Sequence, residues 1–265
     1  MIEHQYYVSK QAKAIPTQKI VNSPVNVLKF DEQIGIILQW AKNFESMVVC
    51  VANVHMLIEA YRQPSFARIL ENADLVTPDG MPLVWMLQLL GAKNQNRVAG
   101  LDILLELCRL APQQNISIYF VGSETRVLEQ MRQKLKVQFP DLKIAGMEPL
   151  PFRPLTPGEN DALIKNINQS RAGLVFVALG CPKQEYWMAQ NKGKIKAVMI
   201  GLGGAFPMYA GIHKRAPLWL QKLGLEWAYR LIQEPKRLWK RYCTTNGIFI
   251  YLALKQLLIQ RINQN

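Results

Sequence analysis

Short apolar runs alternate along the chain with longer segments in which apolar residues recur every three or four positions. The runs predict β-strands, and the periodic segments predict helices. The predicted strands are 47–51, 75–76, 116–122, 143–146, 173–180 and 197–201. The predicted helices are 54–61, 65–72, 82–90, 102–110, 124–139 and 160–169. This alternation is typical of an α/β fold with a mostly parallel, doubly wound sheet, in one lobe or in two lobes divided near residues 112–115.

The two ends of the chain depart from this pattern. Residues 1–24 show neither period, so they predict a flexible arm that precedes an α/β domain at 25–210. Residues 211–265 mix Lys and Arg with Trp and Tyr and predict a basic helical appendage. The start of the chain has no basic stretch followed by an apolar core, so no secretory signal is expected there.

Within the appendage, helices are predicted at 217–231 and 235–242, followed by an apolar segment at 247–259. That segment is shorter than the ~20 residues that a bilayer span requires. Basic and aromatic side chains beside an apolar helix suit a surface that lies in a membrane interface. A terminal helix that packs on the core with a solvated basic edge explains the composition equally well, and both interpretations stay open here.

Composition narrows the class of protein. The chain has 265 residues, 49% hydrophobic and 19% charged, which describes a globular protein and excludes a disordered one. Its net charge is +13, and the appendage holds ten basic against two acidic residues, a surplus of +8. The partner of the appendage should therefore be anionic: phosphate, nucleic acid or an acidic membrane. The four cysteines are far apart and form no CxxC pair, which predicts buried thiols and no zinc site.

The sequence Leu-Val-Thr-Pro-Asp-Gly-Met-Pro at 75–82 places a carboxylate directly after a strand. Pro78 fixes its own φ and pushes Thr77 toward extended geometry, while Gly80 permits a sharp reversal. Asp79 is then presented at the carboxyl end of a strand, where α/β proteins bind ligands. Taken alone, an ordinary N-cap for the helix at 82–90 is the more common role of such an Asp.

Polar or glycine-rich sequences follow three other predicted strands. Asn53 comes just after the first, and Lys183, Gln184 and Glu185 follow a strand that reads as buried on both faces. Such side chains at the carboxyl edge of a sheet can bind a base, a sugar or a diphosphate. The Gly-Leu-Gly-Gly-Ala sequence at 201–205, with Gly203 and Gly204, offers backbone that a ligand can approach. This loop lacks the full GxGxxG spacing of a dinucleotide-binding motif. His55, which follows Asn53 closely, is expected to be a surface or packing residue.

Arg97 and Gly100 come just before the predicted helix at 102–110. A helix N-terminus attracts anions, and a guanidinium group can hold phosphate through two hydrogen bonds. In the alternative, Arg97 pairs with a surface carboxylate and Asp102 caps the helix.

Seven motifs in order give the chain a resemblance to a known family. They are Val-x-Asn at 51–53, Thr-Pro-Asp-Gly at 77–80, Arg-Val-Ala-Gly at 97–100, Gly-Cys-Pro-Lys-Gln-Glu at 180–185, Gly-Leu-Gly-Gly-Ala-Phe at 201–206, Lys-Arg-Ala-Pro at 214–217 and Gly-Leu-Glu-Trp-Ala-Tyr-Arg-Leu-Ile-Gln-Glu-Pro-Lys-Arg at 224–237. Over roughly residues 25–242 the chain resembles the WecG/TagA/CpsF family of bacterial glycosyltransferases.

The resemblance implies an inverting transferase that moves a sugar, usually of the N-acetylmannosamine type, from a UDP-sugar donor. It implies a polyprenyl-diphosphate-linked sugar as acceptor, at the cytoplasmic face of the cell membrane, in the synthesis of cell-surface polysaccharide. It also implies a peripheral association with the anionic membrane surface and a fold distinct from the two common glycosyltransferase classes. A hydrophobic content of 49% leaves room for a subunit interface, which is the basis for expecting a homo-oligomer.

Carried over by motif, Asp79 resembles the general base of the family. The resemblance assigns Asn53, Arg97 and Gln184 to the substrate site, with Arg97 near the diphosphate. Lys183, Gly203 and Gly204 are the other candidate substrate-binding residues, from their place at the strand ends. Three appendage cations, predicted to fold over the site at the membrane, are Arg230, Arg237 and Lys240.

Two residues depart from the family pattern, since Val51 stands where Thr is common and Lys240 where Arg is expected. The first removes a hydroxyl contact, and the second keeps the charge but loses the bidentate fork. No Asp-x-Asp pair for a nucleotide-bound metal occurs in the sequence, so neither metal nor cofactor is expected. Two rival functions are a nucleic-acid binder that uses the basic appendage and a nicotinamide-dependent oxidoreductase built on the loop at 201–205.

Overall fold

The computed structural model describes residues 15–151 and 153–264, and its strands lie close to the predicted ones. They are β1 (Thr17–Ile20), β2 (Ser23–Asn26), β3 (Met47–Ala52), β4 (Leu75–Pro78), β5 (Ile118–Gly122), β6 (Ile144–Glu148), β7 (Leu174–Ala178) and β8 (Val198–Gly201).

Helices connect these strands and continue to the C-terminal end. They are α1 (Phe30–Lys42), α2 (Val54–Arg62), α3 (Pro64–Glu71), α4 (Met81–Leu89), α5 (Gly100–Leu110), α6 (Thr125–Gln138), α7 (Pro157–Ser170), α8 (Lys183–Asn191), α9 (Ala205–Ala210), α10 (Leu218–Lys222), α11 (Glu226–Gln233) and α12 (Pro235–Gln264).

Strands β3 to β8 form one six-stranded sheet in the order β4-β3-β8-β7-β5-β6, and every pair within it is parallel. Helices cover both faces, which buries nearly every residue of the four central strands and explains their continuous apolar sequences. The α/β, mostly parallel class is thus confirmed. Strands from both sides of residues 112–115 belong to one sheet, in which β8 lies between β3 and β7. The two-lobe alternative therefore does not describe this fold.

The expectation of a flexible arm is wrong for residues 17–24. These residues form most of an antiparallel hairpin, β1–β2, which lies beside the edge strand β4. The Asn26 side chain accepts a hydrogen bond of 2.6 Å from the Val76 main-chain nitrogen. Ile20 and Val25 are fully buried, so side-chain packing holds this short hairpin in place. The weak alternation of apolar and polar residues in the sequence did not reveal it. Residues 1–14 of the predicted arm lie outside the described residues.

The appendage is helical, as predicted, but its helices differ from the predicted ones. The single helix expected at 217–231 is broken into α10 and α11, because Gly224 adopts a left-handed φ of +71°. The two segments expected at 235–242 and 247–259 are instead one helix, α12, of 30 residues. Gly247 lies within α12 without interrupting it. Among the described residues, no helix combines the length and the apolar character needed to cross a membrane.

Helix α12 is fixed to the domain along its length. Phe249 and Ala253 are buried in the core on the α2 side of the sheet. Gln256 binds the hairpin twice: its Oε1 accepts from the Val21 nitrogen at 2.9 Å, and its Nε2 donates to the Lys19 carbonyl at 2.8 Å. The last helix is therefore an integral part of the fold rather than a separate tail.

Candidate active site

A cavity of about 890 Å³ opens at the carboxyl edge of the sheet. Its walls come from the loops that follow β3, β4, β7 and β8 and from α4, α11 and α12. In a parallel sheet the carboxyl ends of all strands lie along one edge, so residues distant in sequence meet there. The appendage closes the cavity on the side that the sheet leaves open.

Asp79 follows β4 directly and lines this cavity. Its main-chain nitrogen donates to the Ala52 carbonyl at 2.8 Å, which holds the residue beside the end of β3. Helix α4 begins at Met81 with Gly80 at the N-cap position, and no side chain caps it. The alternative role of Asp79 as a helix cap is therefore wrong, and its carboxylate faces the cavity.

Asp79 and Arg97 belong to a row of alternating charges across the cavity. The Nε of Arg97 lies 3.4 Å from Asp79 Oδ1, and its Nη2 lies 2.7 Å from Glu226 Oε2. Glu226 Oε1 in turn lies 3.3 Å from the Nε of Arg230. The alternative that Arg97 pairs with a surface carboxylate is thus not what the structure shows. Two residues of the sheet edge and two of α11 share this network.

Burial raises the pKa of the Asp79 carboxyl above its ordinary value. The Arg97 guanidinium opposes this effect and lowers the pKa, whereas the negative charge of Glu226 raises it further. A carboxylate with a raised pKa accepts a proton more readily than one in water. The site therefore contains a basic group directly beside a fixed cation.

Gln184 is buried, and its amide joins two of the loops. Its Oε1 accepts hydrogen bonds from the main-chain nitrogens of Gly180 at 3.1 Å and Gly203 at 3.2 Å, and its Nε2 donates to Glu185 at 2.7 Å. A Cβ added at Gly201 or at Gly203 would lie 2.7 Å from this amide. The glycines thus make room for Gln184, which fixes the loop spacing while lining the cavity.

Asn53 and Gly204 also line the cavity, as the sequence predicted. The Asn53 Oδ1 accepts from the Met56 nitrogen at 3.2 Å and caps α2, which fixes this residue at the carboxyl end of β3. A Cβ at Gly204 would lie 3.7 Å from both terminal nitrogens of Arg230. The loop after β8 therefore approaches an appendage cation closely.

The structure does not bring every predicted residue to the cavity. Lys183 and Lys240 are exposed, and neither is among the described residues that line it. Arg237 lies in α12, but its side chain is outside the described part of the chain, so its predicted role stays a prediction. Of the three predicted appendage cations, Arg230 is the one found in the cavity wall.

Sequence reasoning gave no site role to several polar residues of the cavity wall, among them Glu226, Arg241 and His55. Glu226 was noted within a motif but given no role, and Arg241 was overlooked in favour of Lys240. A signal for Arg241 was present, because it lies between the buried positions Leu238 and Thr245 at helical spacing.

His55, expected to be a surface or packing residue, lines the cavity as well. Burial, and then the charge of Arg241, lower its pKa to about 4. His55 is therefore neutral at physiological pH.

Asp102 does not cap α5, since Ala99 occupies the N-cap position. Its carboxylate instead pairs with Arg215 of the appendage at 2.7 Å. No group of three or more metal-ligating side chains occurs among the residues that the structure describes.

Known proteins resemble the chain in sequence over most of its length. Residues 18–263 match the model of the glycosyl transferase WecG/TagA/CpsF family. The chain is 34% identical over 195 residues to the N-acetylglucosaminyldiphosphoundecaprenol N-acetyl-beta-D-mannosaminyltransferase of Bacillus subtilis strain 168, covering 73% of this chain and 74% of the relative. It is 33% identical over 201 residues to the protein of the same description from Bacillus spizizenii, covering 73% of each.

Proposed function

Since the chain belongs to the WecG/TagA/CpsF family of glycosyl transferases, we propose that it transfers an N-acetylmannosamine-type sugar from a UDP-sugar to a polyprenyl-diphosphate-linked sugar. The two relatives, by their descriptions, transfer an N-acetyl-beta-D-mannosaminyl group to N-acetylglucosaminyldiphosphoundecaprenol. The product belongs to the synthesis of a cell-envelope polysaccharide.

The observation that carries the proposal is the placement of Asp79. Its carboxylate lines the cavity, caps no helix and lies beside Arg97, and burial raises its pKa. In the proposed reaction Asp79 takes the proton from the acceptor hydroxyl while that oxygen attacks the anomeric carbon. The bond from the anomeric carbon to the UDP oxygen breaks, and UDP leaves from the opposite face, which inverts the configuration.

The departing diphosphate needs positive charge, and Arg97 and Arg230 can supply it. Both guanidinium groups contact Glu226 at 2.7 and 3.3 Å, so a carboxylate lies between them. A diphosphate offers the same kind of oxygen acceptors with more negative charge, and it would compete with Glu226 for the two cations. Fixed cations at the point where charge develops stabilise the transition state.

We place the reaction at the inner face of the cell membrane, where a lipid-linked acceptor is accessible. Support comes from the appendage, which exposes Leu218, Trp219, Ile232 and Trp239 among its basic residues. Exposed aromatic and aliphatic side chains among cations suit the headgroup region of an anionic membrane. A homo-oligomer remains a prediction from the sequence.

The two rival functions gain no support from the geometry. The Gly-rich loop after β8 is filled by the Gln184 amide, which binds the Gly203 nitrogen, rather than open to a dinucleotide pyrophosphate. Arg230, the basic residue of α11, is part of the cavity wall and pairs there with Glu226.

Mass spectrometry of the products tests the proposal directly. The purified protein is incubated with a panel of UDP-sugars and a polyprenyl-diphosphate-linked N-acetylglucosamine, and the anomeric configuration of the product is read by NMR. We expect one N-acetylhexosamine to be added from UDP-N-acetylmannosamine, with inversion. Retention of configuration would contradict the role of Asp79 as a base, and absence of any sugar transfer would contradict the function.

A further inference from the structure

Apart from its charged residues, the cavity of about 890 Å³ has an extensive apolar lining. Two helices contribute apolar side chains at regular spacing: Met81, Trp85 and Leu89 on α4, and Ile250, Leu254 and Leu257 on α12. We call these six residues the apolar wall. Trp85, Leu89, Ile250 and Leu254 remain largely exposed, between 44% and 68%. Apolar side chains exposed together beside a charged cavity indicate a binding surface.

Both helices lead away from the charged part of the cavity. Helix α4 begins two residues after Asp79, and its nine residues include a single polar one, Gln88. Helix α12 contributes Arg241 and Asn246 to the cavity before Ile250 and the rest of the apolar wall. From residue 241 to residue 257 a helix rises by about 24 Å. The cavity therefore changes from polar to apolar along its length.

This gradient matches one class of ligand. We infer that the apolar wall binds the isoprenoid chain of the lipid-linked acceptor, with the diphosphate at the Arg241 end and the sugar toward Asp79. A ligand that fits must carry a charged group joined to a long apolar chain, and the acceptors of the two relatives are diphosphoundecaprenols. The inference rests on the proposed function, since it specifies the acceptor of that same site.

Helix α12 can hold this position because residues adjoining the apolar wall anchor the helix to the domain. Phe249 and Ala253 pack into the core, while Gln256 binds the hairpin β1–β2. The exposed apolar residues Tyr251, Leu258 and Ile262 form an outward stripe on α12, and none of the three is among the described residues that line the cavity.

The sequence offers a matched pair of positions for a test. Leu254 lines the cavity and is 56% exposed, and Leu258, one turn further along the same helix, is 62% exposed and is not among the described residues that line it. Leu254→Glu places a charge in the apolar wall, whereas Leu258→Glu places the same charge on the outward stripe. Thermal melting of both full-length variants controls for folding.

Binding of a fluorescent undecaprenyl phosphate in detergent micelles is compared with binding of an analogue that has a short alkyl chain. We expect Leu254→Glu to lower the ratio of long-chain to short-chain affinity about tenfold, because an apolar contact of one leucine is lost. Leu258→Glu should keep this ratio within about twofold, as for an exposed substitution. Equal losses in both variants, or an affinity independent of chain length in the wild type, would overturn the inference.

Sugar transfer by the same proteins is measured separately. Wild-type protein that binds the long chain selectively but transfers no sugar would contradict the proposed function and leave the apolar wall supported. Transfer with no preference for the long chain would contradict the apolar wall and leave the function supported. The two failures are therefore distinguishable.

Discussion

The two regions that line the cavity are held in place by different means. At the sheet edge, main-chain hydrogen bonds fix the loops to the strands, as between the Asp79 nitrogen and the Ala52 carbonyl. The appendage meets this edge through side chains, such as Glu226 with Arg97 and Arg215 with Asp102. The proposed base thus lies on loops that main-chain hydrogen bonds fix, while Arg230 and half of the apolar wall come from the appendage, whose ion pairs with the sheet edge single substitutions can remove. Chemistry and access should therefore respond to different mutations.

The largest effect is expected for Asp79→Asn, which removes the proposed base at the sheet edge. We expect kcat to fall by about 10²–10⁴, the usual contribution of general-base catalysis. The raised pKa of Asp79 means that its stability contribution is present below the ordinary pKa of Asp and lost as pH rises through the raised value. At neutral pH the ionised carboxylate therefore costs stability, and the Tm of the variant should stay the same or rise.

Asp74, at the other end of β4, provides the control for Asp79. Its Oδ2 accepts from the Val48 nitrogen at 2.8 Å and pairs with Lys192 at 2.7 Å. Asp74→Asn should lower the free energy of unfolding by about 1–3 kcal/mol and leave kcat unchanged. Chemical denaturation and steady-state kinetics measure both quantities, and near-normal turnover of Asp79→Asn would disprove its role as the base.

The role of the appendage in catalysis can be tested with two of its cations, one in the cavity wall and one on the exposed surface. Arg230→Ala should reduce kcat/KM about a hundredfold, as expected for a group that stabilises developing charge. Lys240→Ala should change it by no more than about twofold, because the Lys240 side chain lies on the exposed surface. Kinetics with a short-chain acceptor avoid effects of membrane binding. Similar losses in both variants would favour the role for Lys240 implied by the resemblance.

Membrane binding should depend on the appendage through its exposed aromatic residues. We expect the double variant Trp219→Ser and Trp239→Ser to bind anionic vesicles about tenfold more weakly, since two interfacial side chains are lost. Vesicle sedimentation measures the change, with Trp187→Phe, a substitution in the folded domain, as the comparison. Deletion of residues 211–265 is less informative, because it would also remove Phe249 and Ala253 from the core. Unchanged sedimentation would contradict the membrane role.

The smallest effect is expected at the contact between the two regions. The charge of Glu226 helps to raise the pKa of Asp79, although burial is the larger cause. Glu226→Gln should therefore lower that pKa and move the acidic limb of the kcat/KM profile toward lower pH. Glu234→Gln, also in the appendage, provides the comparison. If the acidic limb of the kcat/KM profile does not move in Glu226→Gln, the two regions are not electrostatically coupled.

The sequence predicted the sheet edge far better than the appendage. Strands such as β7 are apolar throughout, and the residues after them must lie at the carboxyl edge of a parallel sheet. The edge positions of Asn53, Asp79 and Gly203 followed from this rule alone. Their hydrogen bonds did not, because the capture of the Gln184 amide by two main-chain nitrogens depends on how the loops after β7 and β8 pack together.

In the appendage, side-chain directions depend on how each helix is rotated against the domain. Lys240 and Arg241 are one position apart, which is about 100° around the helix. Tertiary packing decides which of the two side chains lines the cavity. The break between α10 and α11 depends on Gly224, where a Cβ would lie 2.6 Å from the Trp85 ring. The hairpin at residues 17–26 was missed for a similar reason, since its stability comes from contacts with β4 and α12 that are distant in sequence.

The contact between Gln256 and Val21 has a consequence for how the molecule is made. These residues are 235 positions apart, so their hydrogen bond closes a loop that contains almost the whole domain. Such distant closures are entropically costly and follow local structure during folding. On the ribosome, the sheet can assemble while the final helix is still inside the exit tunnel. Newborn chains should therefore pass through a stage in which the sheet edge with Asp79 exists and the α12 side of the cavity does not.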